Sequence, residues 1–310
     1  MRILISPAKQ MIPDPDTLAP VSQPRFLPEA RLLLETLRQK SDRELQSLWK
    51  TNDALTAENI QRVRTMDLTR NLTPALFCYH GIQYQYLGPS ALEDAPLAWL
   101  SEHLRIGSGF YGLLRPLDGI VPYRLEMQAR LRVENSRDLY AFWGDRLARA
   151  LAEETDTVLD LASREYSRAI LDPLPASVRV IRCVFLSRKP DGALAEKATL
   201  CKMARGRMAR FLAEAGQADP DTLRAFDGIH WEYAPDLSEP NRLVYLEKPS
   251  APAHAPPLNG SPWPCGRRFP GDPRNGGGMP WFFTLAQLRV IKVKSESRIV
   301  KSFGVPAARI

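Results

Sequence analysis

The chain has 310 residues with 44% hydrophobic content, enough to bury a full core in one large domain or two small ones. Its formal charge of +7 invites a nucleic-acid reading, but residues 249–310 hold nine Lys/Arg against two Asp/Glu, which is the whole excess. Residues 1–248 carry 33 basic and 33 acidic side chains, so DNA binding there would have to rest on local patches.

No run approaches eighteen apolar residues, which argues against a membrane span. The N-terminus turns polar and proline-rich after five residues, unlike a secretory signal, and predicts a cytoplasmic protein. Cys78, Cys183, Cys201 and Cys265 lack CxxC spacing, so reduced and mostly buried thiols are expected in place of a zinc site or a disulfide framework. His80, His103, His230 and His254 form no HxH, ExxH or HExxH pattern, so neither a metal centre nor a ferritin-like iron store is expected.

In chain order, "RILIS" (2–6) reads as a buried strand, and "ISPAK" places Ser6 and Lys9 at its end. They could meet an anion there, as strand ends in α/β proteins do, or form a turn set by Pro7. "PEARLLLETLRQK" (28–40) has helical spacing, Ser41 and Glu44 form a capping-box signature for the next helix, and "ALTAENIQRVRTM" reads as a third. "ALFCYH" (75–80) reads as a strand and "APLAWLSEHLRI" (95–106) as a helix. "HLRIGSGFYG" then places a helix end, a Gly107-Ser108-Gly109 hairpin and a renewed apolar run in order, loosely like a helix-hairpin-helix, whose amides hold a DNA phosphate without reading bases. "LLRPLDGIVPYRLEM" supplies Arg115, Asp118, Tyr123, Arg124 and Glu126 around two prolines, either as a pocket wall or as structural arginine–carboxylate pairs.

"RDLYAFWGDRLARALAEE" (137–154) has the pattern of one long amphipathic helix. "TVLDLAS" (157–163) is a strand running into Ser163, Arg164, Glu165 and Tyr166, where Ser163 could cap a helix with or without a bound phosphate. "VRVIRCVFL" (178–186) is a further strand. "KATLCKMARGRMAR" carries Lys197, Lys202, Arg205, Arg207 and Arg210 with no acid between them, on a helix (200–215) expected to break or cap at Gly206. Such a cluster contacts phosphates or is a solvated basic face. "IHWEYA" and "RLVYLE" suit an antiparallel pair. Interleaved strands and helices without a clean βαβ repeat predict a mixed α/β or α+β domain over residues 1–248. The Pro/Gly-rich segment 249–280 and the short apolar, basic stretch after it read as a disordered tail, with a frameshift or read-through origin as plausible as a functional extension.

Five co-linear segments, "ILISPAK", "SGFYGLLRPLDGIVPYRLEM", "DLYAFWGD", "LASREY" and "ARGRMARF", together resemble the YaaA family of bacterial peroxide-stress proteins from residue 1 to about 248. The resemblance implies a cytosolic protein that limits iron-linked peroxide damage, has a mixed α/β fold, and binds duplex DNA through a basic cleft with a helix-hairpin-helix. It brings no settled catalytic activity and no cofactor. Carried onto this sequence, the phosphate-binding candidates are Lys9, Arg105, Arg115, Arg124, Lys202, Arg205 and Arg210, with the hairpin at residues 107–112 or 80–88. The alternative is an enzyme acting on a nucleotide or another phosphorylated or carboxylated small molecule. Its basis is the mixed polar set Ser6, Lys9, Tyr123, Arg124, Glu126, Ser163, Glu165 and Tyr166, which must then converge on one pocket.

Overall fold

In the computed structural model, residues 1–248 are described apart from residues 15, 17 and 229, so the expectations for the 249–310 tail, including Cys265 and His254, lie outside the described residues. The chain opens with β1 (Arg2–Ile5), whose Ile3, Leu4 and Ile5 are fully buried, and a short β2 (Gln10–Met11). Three helices follow, α1 (Leu27–Arg38), α2 (Asp42–Trp49) and α3 (Asp53–Thr65). The capping box of α2 forms as the sequence predicts, with Ser41 accepting from the Glu44 amide and Glu44 reaching back to the Ser41 amide.

The stretch expected as a strand at 75–80 is different. After β3 (Thr73–Pro74) the chain makes one helical turn, α4 (Ala75–Cys78), and only Tyr79–His80 pairs as β4, against β2. The Ala75 and Leu76 amides donate to the carbonyls of Asp118 and Pro116 at 2.9 Å, so these donors are taken by a loop and are not free for a ladder. Then come α5 (Ile82–Leu87) and α6 (Asp94–His103). The glycine-rich segment is a buried β-hairpin of β5 (Leu104–Ser108) and β6 (Gly112–Leu114), followed by β7 (Gly119–Ile120), which pairs with β3. The expected long helix is two, α7 (Leu139–Trp143) and α8 (Arg146–Ala152), divided at Gly144, whose φ of +52° no ordinary residue adopts cheaply. Trp143 anchors the break by donating its indole N–H to the Gly109 carbonyl at 3.1 Å.

The second half supplies β8 (Thr157–Leu161), α9 (Arg164–Ile170), β9 (Arg179–Arg188), β10 (Leu194–Ala195), α10 (Ala198–Ala215), α11 (Pro220–Arg224), β11 (Trp231–Tyr233) and β12 (Arg242–Glu247). The main sheet has the order β11-β12-β9-β8-β1-β5-β6, with β10 paired to the end of β9. Its five central strands run parallel and the edge strands β6 and β11 run antiparallel, so the fold is mixed α/β. Helix α10 is not broken at Gly206. A Cβ there would lie 2.2 Å from the Gln83 carbonyl oxygen, so the glycine is what lets α10 lie against α5.

Candidate functional site

The strand order reverses between β1 and β8. From β1 the chain next enters the sheet on one side, at β5, and from β8 it enters on the other, at β9. Two loops that leave neighbouring parallel strands in opposite directions open a crevice beyond their carboxyl ends, where open α/β sheets bind ligands. Here the loops begin with Ser6 and Ser163, and they are stitched together: the Ser163 amide donates to Ser6 Oγ at 2.7 Å, and Ser6 Oγ donates to Ser163 Oγ at 3.1 Å. Asp160 fixes the second loop by accepting from the Ala162 amide at 3.0 Å and the Ser167 hydroxyl at 2.8 Å.

Three further segments wall the crevice into a cavity of about 380 Å³. Helix α5 contributes Gln83 and Tyr84, the Tyr84 hydroxyl donating to the Ser6 carbonyl at 3.0 Å. Helix α10 contributes Lys202 and Arg205, and the extended segment after β7 contributes Tyr123 through Glu126. That segment lies directly on Gly109, where a Cβ would meet the Leu125 carbonyl oxygen at 2.6 Å. The "SGF" glycine of the sequence therefore serves close approach in a hairpin, not a phosphate-binding amide.

Charge in the cavity is layered. Glu126 bridges Lys9 at 2.9 Å and Arg124 at 3.0 Å. Glu165 accepts from the Gln128 amide at 3.2 Å, and burial, with the Glu126 charge adding to it, raises its carboxyl above the usual carboxylate range. Burial likewise raises the Tyr166 hydroxyl well above its ordinary value. The Nε–H groups of Arg124 and Arg205 are buried and have no acceptor among the described residues. An unsatisfied buried donor costs roughly 1–3 kcal/mol, more when it belongs to a charged group, so both side chains are poised for an acceptor.

All eight residues of the mixed polar set line this one cavity, together with Lys202 and Arg205. The Tyr123 hydroxyl is taken up away from the cavity, 2.7 Å from both Tyr79 Oη and Ser108 Oγ in a buried chain. Three other candidates lie elsewhere. Arg105 is 3% exposed and donates through Nε to Glu154 at 2.7 Å, at the opposite, amino-terminal end of the strands, so it is a structural ion pair and no phosphate ligand. Arg115 is exposed at that same end, 3.8 Å from Glu154. Arg210 points its guanidinium at the carbonyls of Leu87, Gly88 and Ala91 and at Glu214, closing the end of α5. Residues 107–112, one expected position of the helix-hairpin-helix, form the buried β-hairpin, with Gly107, Ser108, Phe110 and Tyr111 all inside. The other, residues 80–88, is the α5 wall of the cavity.

The cavity opens beside a groove of about 1090 Å³ and shares Lys9, Arg124 and Glu126 with it. The sequence reading missed this groove. Along one wall, Met127, Ala129, Leu131 and Val133 are buried and Gln128, Arg130 and Arg132 are exposed, a period of two that lays both arginines on the outer face. Lys40, Lys50 and Arg137 complete the basic lining, opposed by Glu44 and Asp138. Lys40 pairs with Glu44 at 3.2 Å and Arg137 with Asp138 at 3.3 Å, whereas Lys50, Arg130 and Arg132 pair with no carboxylate among the described residues. The alternation in "MQARLRV" was the available signal.

Among the described residues no three His, Cys, Asp or Glu side chains are grouped to hold a metal, and no helix is long and apolar enough to cross a membrane. Cys78, Cys183 and Cys201 are free and buried, and desolvation pushes the first two thiols up to about 12.

Comparison with known proteins gives the lineage. Residues 1–237 match the family model described as peroxide stress protein YaaA. A UPF0246 protein of Lactiplantibacillus plantarum is 45% identical over 246 residues, covering 79% of this chain and 99% of its own length. A UPF0246 protein of Lachnoclostridium phytofermentans is 44% identical over 247 residues, covering 80% and 96%, and one of Agathobacter rectalis is 40% identical over 248 residues, covering 80% and 99%. With most of the chain inside the family model and such relatives matched over nearly their whole lengths, the chain belongs to the peroxide stress protein YaaA family.

Proposed function

We propose that this protein acts in the cytoplasm under peroxide stress by binding duplex DNA without sequence preference along the basic groove, shielding it from iron-derived radicals. The observation that carries the reading is the unneutralised charge of Lys50, Arg130 and Arg132 along one groove, in a part of the chain whose totals are neutral. Exposed guanidinium groups on an extended backbone suit phosphates, which supply most of the affinity in sequence-independent binding. The contacts are side-chain contacts, so the reading needs no helix-hairpin-helix at residues 107–112, whose amides are spent within the β-hairpin.

The test is fluorescence anisotropy of a labelled duplex across a salt series, with the full chain and with Arg130→Gln/Arg132→Gln. Each phosphate contact contributes about 0.9 to the slope of log K against log salt, so the double variant should lower the slope by about 1.8 and weaken binding by tenfold or so at low salt. Unchanged affinity and slope would show that the groove is not the contact surface.

A further inference from the structure

We propose that the cavity where β1 and β8 part is a binding site for a small phosphomonoester, held by Arg124, Arg205, Lys9 and Lys202 and by the hydroxyls of Ser6 and Ser163. This site is separate in chemistry from the groove. A nucleic-acid track needs only repeated, exposed positive charge, whereas this cavity adds partly buried cations, hydroxyls and a pair of carboxylates in a smaller volume of about 380 Å³.

Charge balance argues for a dianion. Four cationic side chains line the cavity against two carboxylates, Glu126 and Glu165, so the lining is positive by two when both are ionised, with Glu196 lying outside it at 3.5 Å from Arg205. A phosphomonoester carries close to −2 above its second pKa of about 6, whereas a carboxylate would leave half of the excess unmet. Hydrogen bonding points the same way. Arg124 and Arg205 each keep one buried Nε–H without an acceptor among the described residues. These residues come from separate segments of the chain, and a tetrahedral oxyanion offers acceptors in several directions at once. The place is also the one the topology provides, beyond the carboxyl ends of adjacent parallel strands at the reversal of strand order. Ile82, Leu125 and the Tyr166 ring supply an apolar wall for the rest of the molecule.

The experiment is isothermal titration calorimetry of the full chain with inorganic phosphate, ribose 5-phosphate and AMP, and with a 5′-phosphorylated oligonucleotide as a separate arm. Binding of at least one small phosphate is expected. Arg205→Gln and Lys202→Gln should each weaken it about tenfold, and Arg130→Gln/Arg132→Gln should leave it unchanged. Lys202 is exposed and makes no ion pair among the described residues, so its replacement tests the site without threatening the fold. No heat from any of the three small phosphates at about 5 mM would overturn the proposal. So would binding indifferent to both α10 variants, or binding confined to the oligonucleotide, which would assign the phosphate chemistry to nucleic acid. Loss of duplex binding in the groove variant, with small-phosphate binding intact, would separate the two sites.

Discussion

Replacing Gly206 by alanine sets two effects of opposite sign against each other. In an ordinary helix interior alanine is better than glycine by about 1 kcal/mol, because glycine loses more backbone entropy on folding. Here the new methyl carbon would sit 2.2 Å from the Gln83 carbonyl oxygen and 3.0 Å from Tyr86 Cβ, so α5 must retreat by about 1 Å before contact becomes ordinary. Overpacking costs about 1–3 kcal/mol, and the upper end applies because the obstruction is backbone and cannot swing aside. The net expectation is about 2 kcal/mol of destabilisation, a fall in Tm of about 4–8 °C for a domain of this size. Differential scanning calorimetry of Gly206→Ala and the parent reads it directly. A variant as stable as the parent, or more so, would refute the close approach of α5 and α10 and leave the glycine without a packing reason.

Glu154→Gln should cost roughly 3 kcal/mol in urea unfolding, because it strands the buried Arg105 charge. The paired Arg105 holds the Glu154 carboxyl below its ordinary 4.5 despite burial, so the folded state favours the ionised form. That stabilisation is complete above pH 4.5, and it should be lost as pH falls through the depressed native value; a parent and variant that converge in stability only at acid pH would bear this out. Cys78 and Cys183, with thiols raised to about 12, should resist iodoacetamide at neutral pH in the native chain and react after unfolding; rapid native labelling in peptide mass spectra would contradict the burial. Tyr123→Phe should cost about 1–2 kcal/mol by breaking the link between Tyr79 and Ser108, yet leave small-phosphate affinity unchanged, since the hydroxyl faces away from the cavity. A selective loss of ligand affinity would place that hydroxyl in the site instead.

Sequence reasoning finds the strands that carry a clear apolar run or alternation, including the antiparallel pair of "IHWEYA" and "RLVYLE". "RILI" and "TVLDL" lie in the parallel part of the sheet and read as near-continuous apolar runs, while "VRVIRCVFL" alternates between buried and more exposed residues. β5 escapes it because "LRIGS" contains an arginine and a glycine and continues directly from a helix, and the charge of Arg105 is balanced there by Glu154, 49 residues away. "ALFCYH" fails for a related reason: its short apolar run suits a buried strand, but Asp118 and Pro116 claim its first amides. Gly206 shows a different limit, since a glycine that ends a helix and one that admits a neighbouring helix look alike until Gln83 is placed beside it. The residue types of the cavity were visible in short motifs, but their convergence depends on strand order, which no local pattern encodes. Arg105, Arg115 and Arg210 have the charge of phosphate ligands and lack the placement.

The position of β1 has a consequence for how the chain is made. β1 is an interior strand of the sheet that is made before both of its partners, Leu104–Ile106 on one side and Val158–Leu161 on the other. Ile3, Leu4 and Ile5 therefore lack their β8 ladder until synthesis has passed Leu161. At about 5–20 residues per second this is a wait of roughly 8–30 s, and sheet completion is bound to be late and non-local. Apolar surface is exposed over that interval, and the closing of β8 onto β1 is the step at which the switch-point crevice comes into being.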